Sequence, residues 1–338
     1  MNHCEAECMP QRTLRILTAE DVRRALPMHE AVEVMKQAFR QVSLGEAVLP
    51  ARVHLAAPQQ HGVALIMPAY LPADELMGLK VVTLFDQNPQ RGRPRIQAVV
   101  LVLDGTDGRP LAVIDGTSLT ALRTGAASGA ATQRLANPDA SVAAVFGAGV
   151  QGRTQLEAVL CVRPIREVRV WDPDTEAAER FCVEMSRNSG LPVRRAATAT
   201  AVVQDADIIC AATTARTPVF RDCDLKPGVH INAIGSYQPE VQEIPAETVR
   251  RARLVVDHRA SAWAEAGDLL IPLRAGLISE DHTHAELGEI VAGPKPGRTS
   301  PSEVTLFKSV GVAAQDLAAA ARVLQHAQEH RLGTEVSL

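Results

Sequence analysis

The residues best suited to chemistry fall in four places. A G-x-G-x-x-G stands at Gly147, Gly149 and Gly152, after the apolar run Val142-Ala143-Ala144-Val145-Phe146. In that spacing the first glycine makes a tight turn, the second admits a pyrophosphate, and the third packs a helix on the strand. Ala148, Val150 and Gln151 complete the turn, whose free N–H groups at a helix start favour negative charge. Asp172 closes a second apolar run, about twenty residues on, where a carboxylate can bind the adenosine ribose hydroxyls. No arginine follows closely behind it to pair a 2′-phosphate, so NAD is the expected cofactor, with NADP the alternative. The second place is Lys80, between Leu79 and Val81. On an alternating strand it either faces water or points inward, where burial lowers its pKa and lets it pass a proton to or from a substrate nitrogen. Third, Arg52 and Arg123 offer planar forks for a carboxylate or phosphate. Last, Ala212-Thr213-Thr214 and Ile234-Gly235 follow apolar runs. Such small residues either make tight turns or lie along a dinucleotide at the carboxyl ends of strands.

These groups need elements to hold them. Leu14 to Leu17 is predicted as a strand, and Thr18 with Asp21 three residues later caps a helix that runs to Gly45. Strands follow at 52–55, 63–70, 78–85, 97–103 and 110–115, with hairpin-like spacing, predicting a largely antiparallel sheet. A long alanine-rich helix runs from Ser118 to Ala136 and stops at Asn137-Pro138. From Ser141 onward strands at 141–146, 168–171, 193–196, 208–212, 230–234 and 254–257 alternate with helical stretches. That alternation predicts a Rossmann-type, doubly wound parallel sheet. Leu306 to His330 carries a helical pattern that returns to the first domain. The fold class is therefore α/β, with a second α+β domain. The predicted boundaries are 1–120 with 311–338 for substrate binding and dimerisation, and 121–310 for the dinucleotide.

Composition narrows the function further. The 338 residues suffice for two domains with real cores. A net charge of -4 gives no basic field for nucleic acid or an anionic membrane, and 3% aromatics are too few for a base-stacking platform. No apolar run approaches a membrane span, and the start lacks a basic, apolar leader. Six scattered cysteines without CxxC pairs favour reduced thiols and a cytoplasmic setting. His3, Cys4 and Cys8 are better taken as a polar tail than as ligands, and His282 and His284 lack a third partner, so no metal is expected.

Together these stretches resemble the ornithine cyclodeaminase/μ-crystallin family over nearly the whole chain. The carrying motifs are Met67-Pro68-Ala69-Tyr70, Lys80-Val81-Val82-Thr83, Leu119 to Ala126, Phe146 to Gly152, His230 to Gly235, Ala285 to Glu289, and Thr305 to Gly311. The resemblance implies a homodimer built through the first domain, a Rossmann domain holding NAD(P)(H), and a small imino- or amino-acid substrate. It implies that Arg52 binds the substrate carboxylate, that Lys80 lies beside the substrate nitrogen, and that Arg123 and Thr124 contact carboxylate or cofactor. Met67 is placed by it at the substrate, and Thr83 and Ser309 at the cofactor. One departure bears on activity: ornithine cyclodeaminases carry an aspartate two residues beyond the glycine matching Gly235, where this chain has Tyr237. Glu240 is nearby but shifted. The Gly-Ser-Tyr-Gln-Pro run resembles the ketimine-reductase side of the family. The expected activity is thus NAD(P)H-dependent reduction of a small cyclic ketimine such as Δ1-pyrroline-2-carboxylate. The alternatives are ornithine cyclodeamination, alanine dehydrogenase-like chemistry, and a dinucleotide binder of low turnover.

Overall fold

Alternation of buried and exposed side chains builds the first sheet. In the computed structural model, which describes residues 13–338, its strands are β1 (Thr13–Leu17), β2 (Val53–Ala57), β3 (Gly62–Leu71), β4 (Leu76–Phe85), β5 (Ile96–Asp104) and β6 (Pro110–Asp115). β2 to β6 form an antiparallel meander, β1 lies parallel to β6, and a terminal strand Thr334–Ser337 pairs antiparallel with β1. Leu65, Met67, Ala69 and Leu71 on β3, and Lys80 and Val82 on β4, point to the buried face. Helices Gly116–Leu135 and Ala313–His330 cover that face, Met28–Ser43 packs on both of them, and the three supply much of the first hydrophobic core. His3, Cys4 and Cys8 lie outside the described residues.

The second sheet is parallel throughout. It contains β7 (Val142–Phe146), β8 (Glu167–Trp171), β9 (Val193–Arg195), β10 (Ile208–Ala211), β11 (His230–Ala233), β12 (Arg253–Val256), β13 (Thr283–Glu286) and β14 (Thr305–Lys308). The order is β13-β12-β14-β11-β10-β7-β8-β9. The winding reverses between β7 and β10, and in such sheets the crevice outside the carboxyl ends at that reversal takes the ligand. The fold is therefore α/β, with a Rossmann-type parallel sheet beside a mostly antiparallel one.

Two expectations from sequence need correction. The helix begun at Thr18 does have its capping box, with the Thr18 hydroxyl accepting from the Asp21 N–H and the Asp21 carboxylate accepting from the Thr18 N–H. It ends at Ala25, and a separate helix starts at Met28, because Pro27 has no N–H for an interior turn and fits a helix start. The helical pattern assigned from Leu306 also fails at its beginning. Thr305–Lys308 is β14, inserted between β11 and β12, and the helix begins only at Ala313. A short, fully buried apolar run has no periodicity to separate strand from helix. Gly311, at φ +80, makes the turn between the two. β13 and the terminal strand were not anticipated.

Candidate active site

Lys80 points inward. Its side chain is 3% exposed, and its ammonium pairs with the Asp316 carboxylate at 2.7 Å. Asp316 also receives the Arg123 Nε at 3.0 Å, while Arg123 Nη1 donates to Gln315 Oε1 at 3.1 Å. Arg52 donates from Nη2 to the Gly311 carbonyl at 2.7 Å, and its Nε pairs with Glu265 at 3.1 Å. Three cations therefore gather around one turn and one helix start, with Asp316 shared by Lys80 and Arg123 and Glu265 paired with Arg52. Burial lowers the Lys80 pKa to about 8, Asp316 pulling it up and Arg123 and Arg52 pushing it down. For Asp316 burial acts upward, yet Arg123 and Lys80 hold the carboxyl below its ordinary value. A lysine so poised exchanges a proton near neutral pH.

A cavity of about 330 Å³ opens beside this cluster. Arg52, His54 and Met67 line one side, His258 and Glu265 the other, and Val312 and Ala313 close it. Met67 is the cross-strand partner of Lys80, so β3 and β4 carry the arginine side of the cavity and the lysine in fixed register. Burial raises the Glu265 carboxyl against the pull of Arg52 and His54. Asp257, just after β12, braces the turn that holds Arg52: one carboxylate oxygen accepts from the Ser309 hydroxyl at 2.7 Å, the Val310 N–H at 2.9 Å and the Gly311 N–H at 2.7 Å.

The glycine turn has the shape a dinucleotide needs. Gly147 has φ +94, and a Cβ there would meet the Ala212 carbonyl at 2.5 Å. A Cβ on Gly152 would meet the Gly147 carbonyl at 2.0 Å, so the helix Val150–Val162 lies directly on the turn. Around Gly149 nothing lies within 4 Å of such an atom, and no side chain caps this helix. The open space is thus at the glycine that faces a pyrophosphate, with uncapped N–H groups around it. Ala148 donates its N–H to Asp172 at 2.8 Å, which fixes the end of β8 against the turn. Val150 is exposed and Gln151 half-buried at the helix start. The residues fit the cofactor.

Other predicted residues divide. Thr213 and Ile234-Gly235 follow β10 and β11, with Ala212 beneath Gly147 and Thr214 exposed beyond it. Thr124 is buried on the helix Gly116–Leu135, its hydroxyl donating to Thr120 and its carbonyl accepting from Gln155. Ser309 gives its hydroxyl to Asp257, which makes it part of the turn's frame. Thr83 is not brought to Lys80. It is three residues along the same strand, so alternation turns it to the opposite face, where its hydroxyl lies 3.4 Å from the Gln97 carbonyl. Tyr237 is half-buried, and burial raises its phenol, which makes it a poor base; Glu240 is exposed. His282 and His284 spend ring nitrogens on the Val249 and Pro296 carbonyls.

Asp316, Gln315, Glu265 and Asp257 escaped the sequence reading. The available signal was Asp316, an acid set among alanines in Ala313-Ala314-Gln315-Asp316-Leu317. An acid in a first helical turn reads equally well as a partner of the helix dipole, which hid its role.

Known proteins are similar to this chain over nearly its whole length. The chain is 37% identical to a Δ1-pyrroline-2-carboxylate reductase of Bacillus cereus over 322 residues, 95% of this chain and 99% of that one. It is 36% identical to an alanine dehydrogenase of Archaeoglobus fulgidus, over 95% of this chain and 97% of the other. Among solved structures, the Δ1-pyrroline-2-carboxylate reductase of Thermococcus litoralis, in complex with NADH and L-proline, superposes with a TM-score of 0.93. It has 41% identity, over 96% of this chain and all of that one. Residues 12–331 match the ornithine cyclodeaminase/μ-crystallin family as a whole, and the chain belongs to that family.

Proposed function

We propose that this chain reduces a small cyclic α-imino acid of the Δ1-pyrroline-2-carboxylate type, with NADH as reductant. The observation that carries the reading is the buried Lys80–Asp316 pair, flanked by Arg123 and Arg52, beside a cavity of about 330 Å³. Bound NADH supplies a hydride from C4 of its nicotinamide to the imine carbon. Arg52 is the carboxylate ligand: Glu265 and the Gly311 carbonyl hold its Nε and Nη2, leaving Nη1 for the substrate. Arg123, locked by Asp316 and Gln315, adds positive potential behind the same carboxylate. Lys80 keeps the imine nitrogen protonated, so that C=N becomes CH–NH with one hydride and one proton, and Asp316 holds the ammonium in place. Met67 forms the apolar wall. Gly147, Ala148, Gly149, Val150, Gln151 and Gly152 hold the pyrophosphate. Asp172 takes the ribose, where a 2′-phosphate would meet a carboxylate, which favours NAD over NADP. Ala212, Thr213, Thr214, Ile234 and Gly235 flank the nicotinamide side, with Thr124 and Ser309 behind them and Thr83 outside the arrangement. The division of labour follows the sheets, 1–120 with 311–338 for substrate and self-association and 121–310 for the dinucleotide, in a homodimer. Tyr237, a neutral phenol, stands where cyclodeamination wants a carboxylate, which favours reduction over ring closure of ornithine.

The test is a panel of Δ1-pyrroline-2-carboxylate, pyruvate with ammonia, and ornithine, each with either cofactor, followed at the nicotinamide absorbance band. Oxidation of NADH by the cyclic imine is expected. Lys80→Met should lower kcat by about a thousandfold, the range for a lost acid–base group, with NADH binding intact. Proline and ammonia from ornithine with catalytic NAD⁺, or no change with any substrate, overturns the reading.

A further inference from the structure

A second buried charge cluster lies behind the two loops that follow β10 and β11. Glu243 is fully buried. Its Oε1 accepts from both the N–H and the hydroxyl of Thr213, at 2.7 and 2.6 Å. Its Oε2 accepts from the Ser236 N–H at 2.9 Å. One carboxylate thus bridges the two loops. The Ser236 peptide is gripped from its other side as well, because Lys308 Nζ donates to the Ser236 carbonyl. Lys308, 0% exposed, pairs with Asp268 at 2.8 Å, and Asp268 accepts the N–H groups of Glu243 and Ile244 at 2.7 and 3.0 Å. The path Glu243–Ser236–Lys308–Asp268 closes on itself. Gly235 fits this ring by lacking a side chain: a Cβ there would meet Glu243 Oε2 at 2.3 Å and the Thr213 carbonyl at 2.4 Å.

The ring holds two carboxyls against one ammonium, and burial with the neighbouring Asp268 raises Glu243 above its ordinary value. Removing one partner of a buried charged network is costly, and a simple packing job is done better by apolar groups. Nothing in the ring reaches the Lys80 cluster, so proton transfer to substrate does not explain it. What it does fix is the separation and tilt of two backbone loops at the carboxyl edge of the sheet, next to the reversal point between β7 and β10. Backbone groups placed there contact a dinucleotide directly.

We propose that Glu243 is a positioning residue for the nicotinamide end of the dinucleotide, tying the Thr213 loop to the Ser236 loop at the spacing the bound ring requires. This rests on the reading that those loops flank the cofactor. Glu243→Gln keeps the shape but sets an amide NH₂ against one of three donors. Glu243→Asp keeps the charge but is a methylene too short to span both loops. Both variants should fold, by circular dichroism, and bind NADH about tenfold more weakly by fluorescence titration, the loss of one charged hydrogen bond. KM for NADH should rise with them, and KM for the imine should hold. Amide exchange at Thr213 and Ser236 should accelerate in both. Fluorescence titration reports on the clamp even if wild type turns over no imine, so failure of the catalytic reading and failure of this one are distinguishable. Folded variants with wild-type NADH affinity overturn the proposal. Loss of the fold in both also overturns it, since the ring would then be a structural element alone.

Discussion

Lys80 has one carboxylate against it and two guanidiniums close by, and this balance sets the pH at which it works. With its pKa lowered to about 8, the protonated form that imine reduction needs is present below that pH and lost above it. The kcat/KM for imine reduction should therefore fall as pH rises through about 8. Asp316 is the group that pulls the pKa up, so Asp316→Asn, nearly isosteric, should move the falling limb to lower pH. Profiles of both proteins check this, and a limb that stays in place in the variant removes Lys80 as the titrating group. Lys80, Arg52 and Arg123 were visible in the sequence because a charge inside an apolar run, or a family motif, marks each of them. Asp316 and Glu243 were not, since a carboxylate's value here comes from partners that only the fold brings to it, Lys80 and Arg123 for the one and Thr213 and Ser236 for the other.

Elements with a clear period or a place in the strand–helix alternation were legible, and one short buried run outside that alternation was not. The alternation on β3 and β4 predicted a sheet but left open which face Lys80 takes, and the glycine spacing predicted the turn after β7. Thr305–Lys308 is buried on every side between β11 and β12, so tertiary pairing made it a strand where pattern allowed a helix. Two glycines of the turn separate its structural and ligand-facing parts. Gly152→Ala puts a Cβ 2.0 Å from the Gly147 carbonyl, and should destabilise the apoprotein by about 1–3 kcal/mol as the helix lifts. Gly149→Ala meets no atom within 4 Å at an ordinary φ of -83, so the apoprotein's melting temperature should hold. Its new methyl occupies the pyrophosphate's space, so the rise in Tm that NADH gives wild type should disappear. Thermal melts with and without NADH check both variants. Retention of the NADH shift in Gly149→Ala would move the pyrophosphate elsewhere.

At the scale of the whole molecule, the first sheet has one face too many. Its inner face is covered by helices, but the outer face pairs Val53 with Ile66, Leu55 with Ala64, Ile66 with Val81, Val81 with Val99 and Leu79 with Leu101, all apolar or small. Val53, Leu55 and Val99 are 54%, 61% and 39% exposed, and among the described residues no helix covers them. A contiguous apolar sheet face of this width marks a contact with another protein surface. A two-fold copy of the same face satisfies it with no further sequence, sheet against sheet, and symmetric dimers are the commonest solution. The paired strands include β3 and β4, which carry Met67 and Lys80 on their other face, so dimerisation would stiffen the platform under the site. Light scattering on the purified protein should give twice the chain mass. The double variant Leu55→Glu with Val99→Glu should give the single-chain mass, and its imine reduction should weaken as the platform loosens. A wild-type protein of single-chain mass at micromolar concentration would leave this face to a different partner.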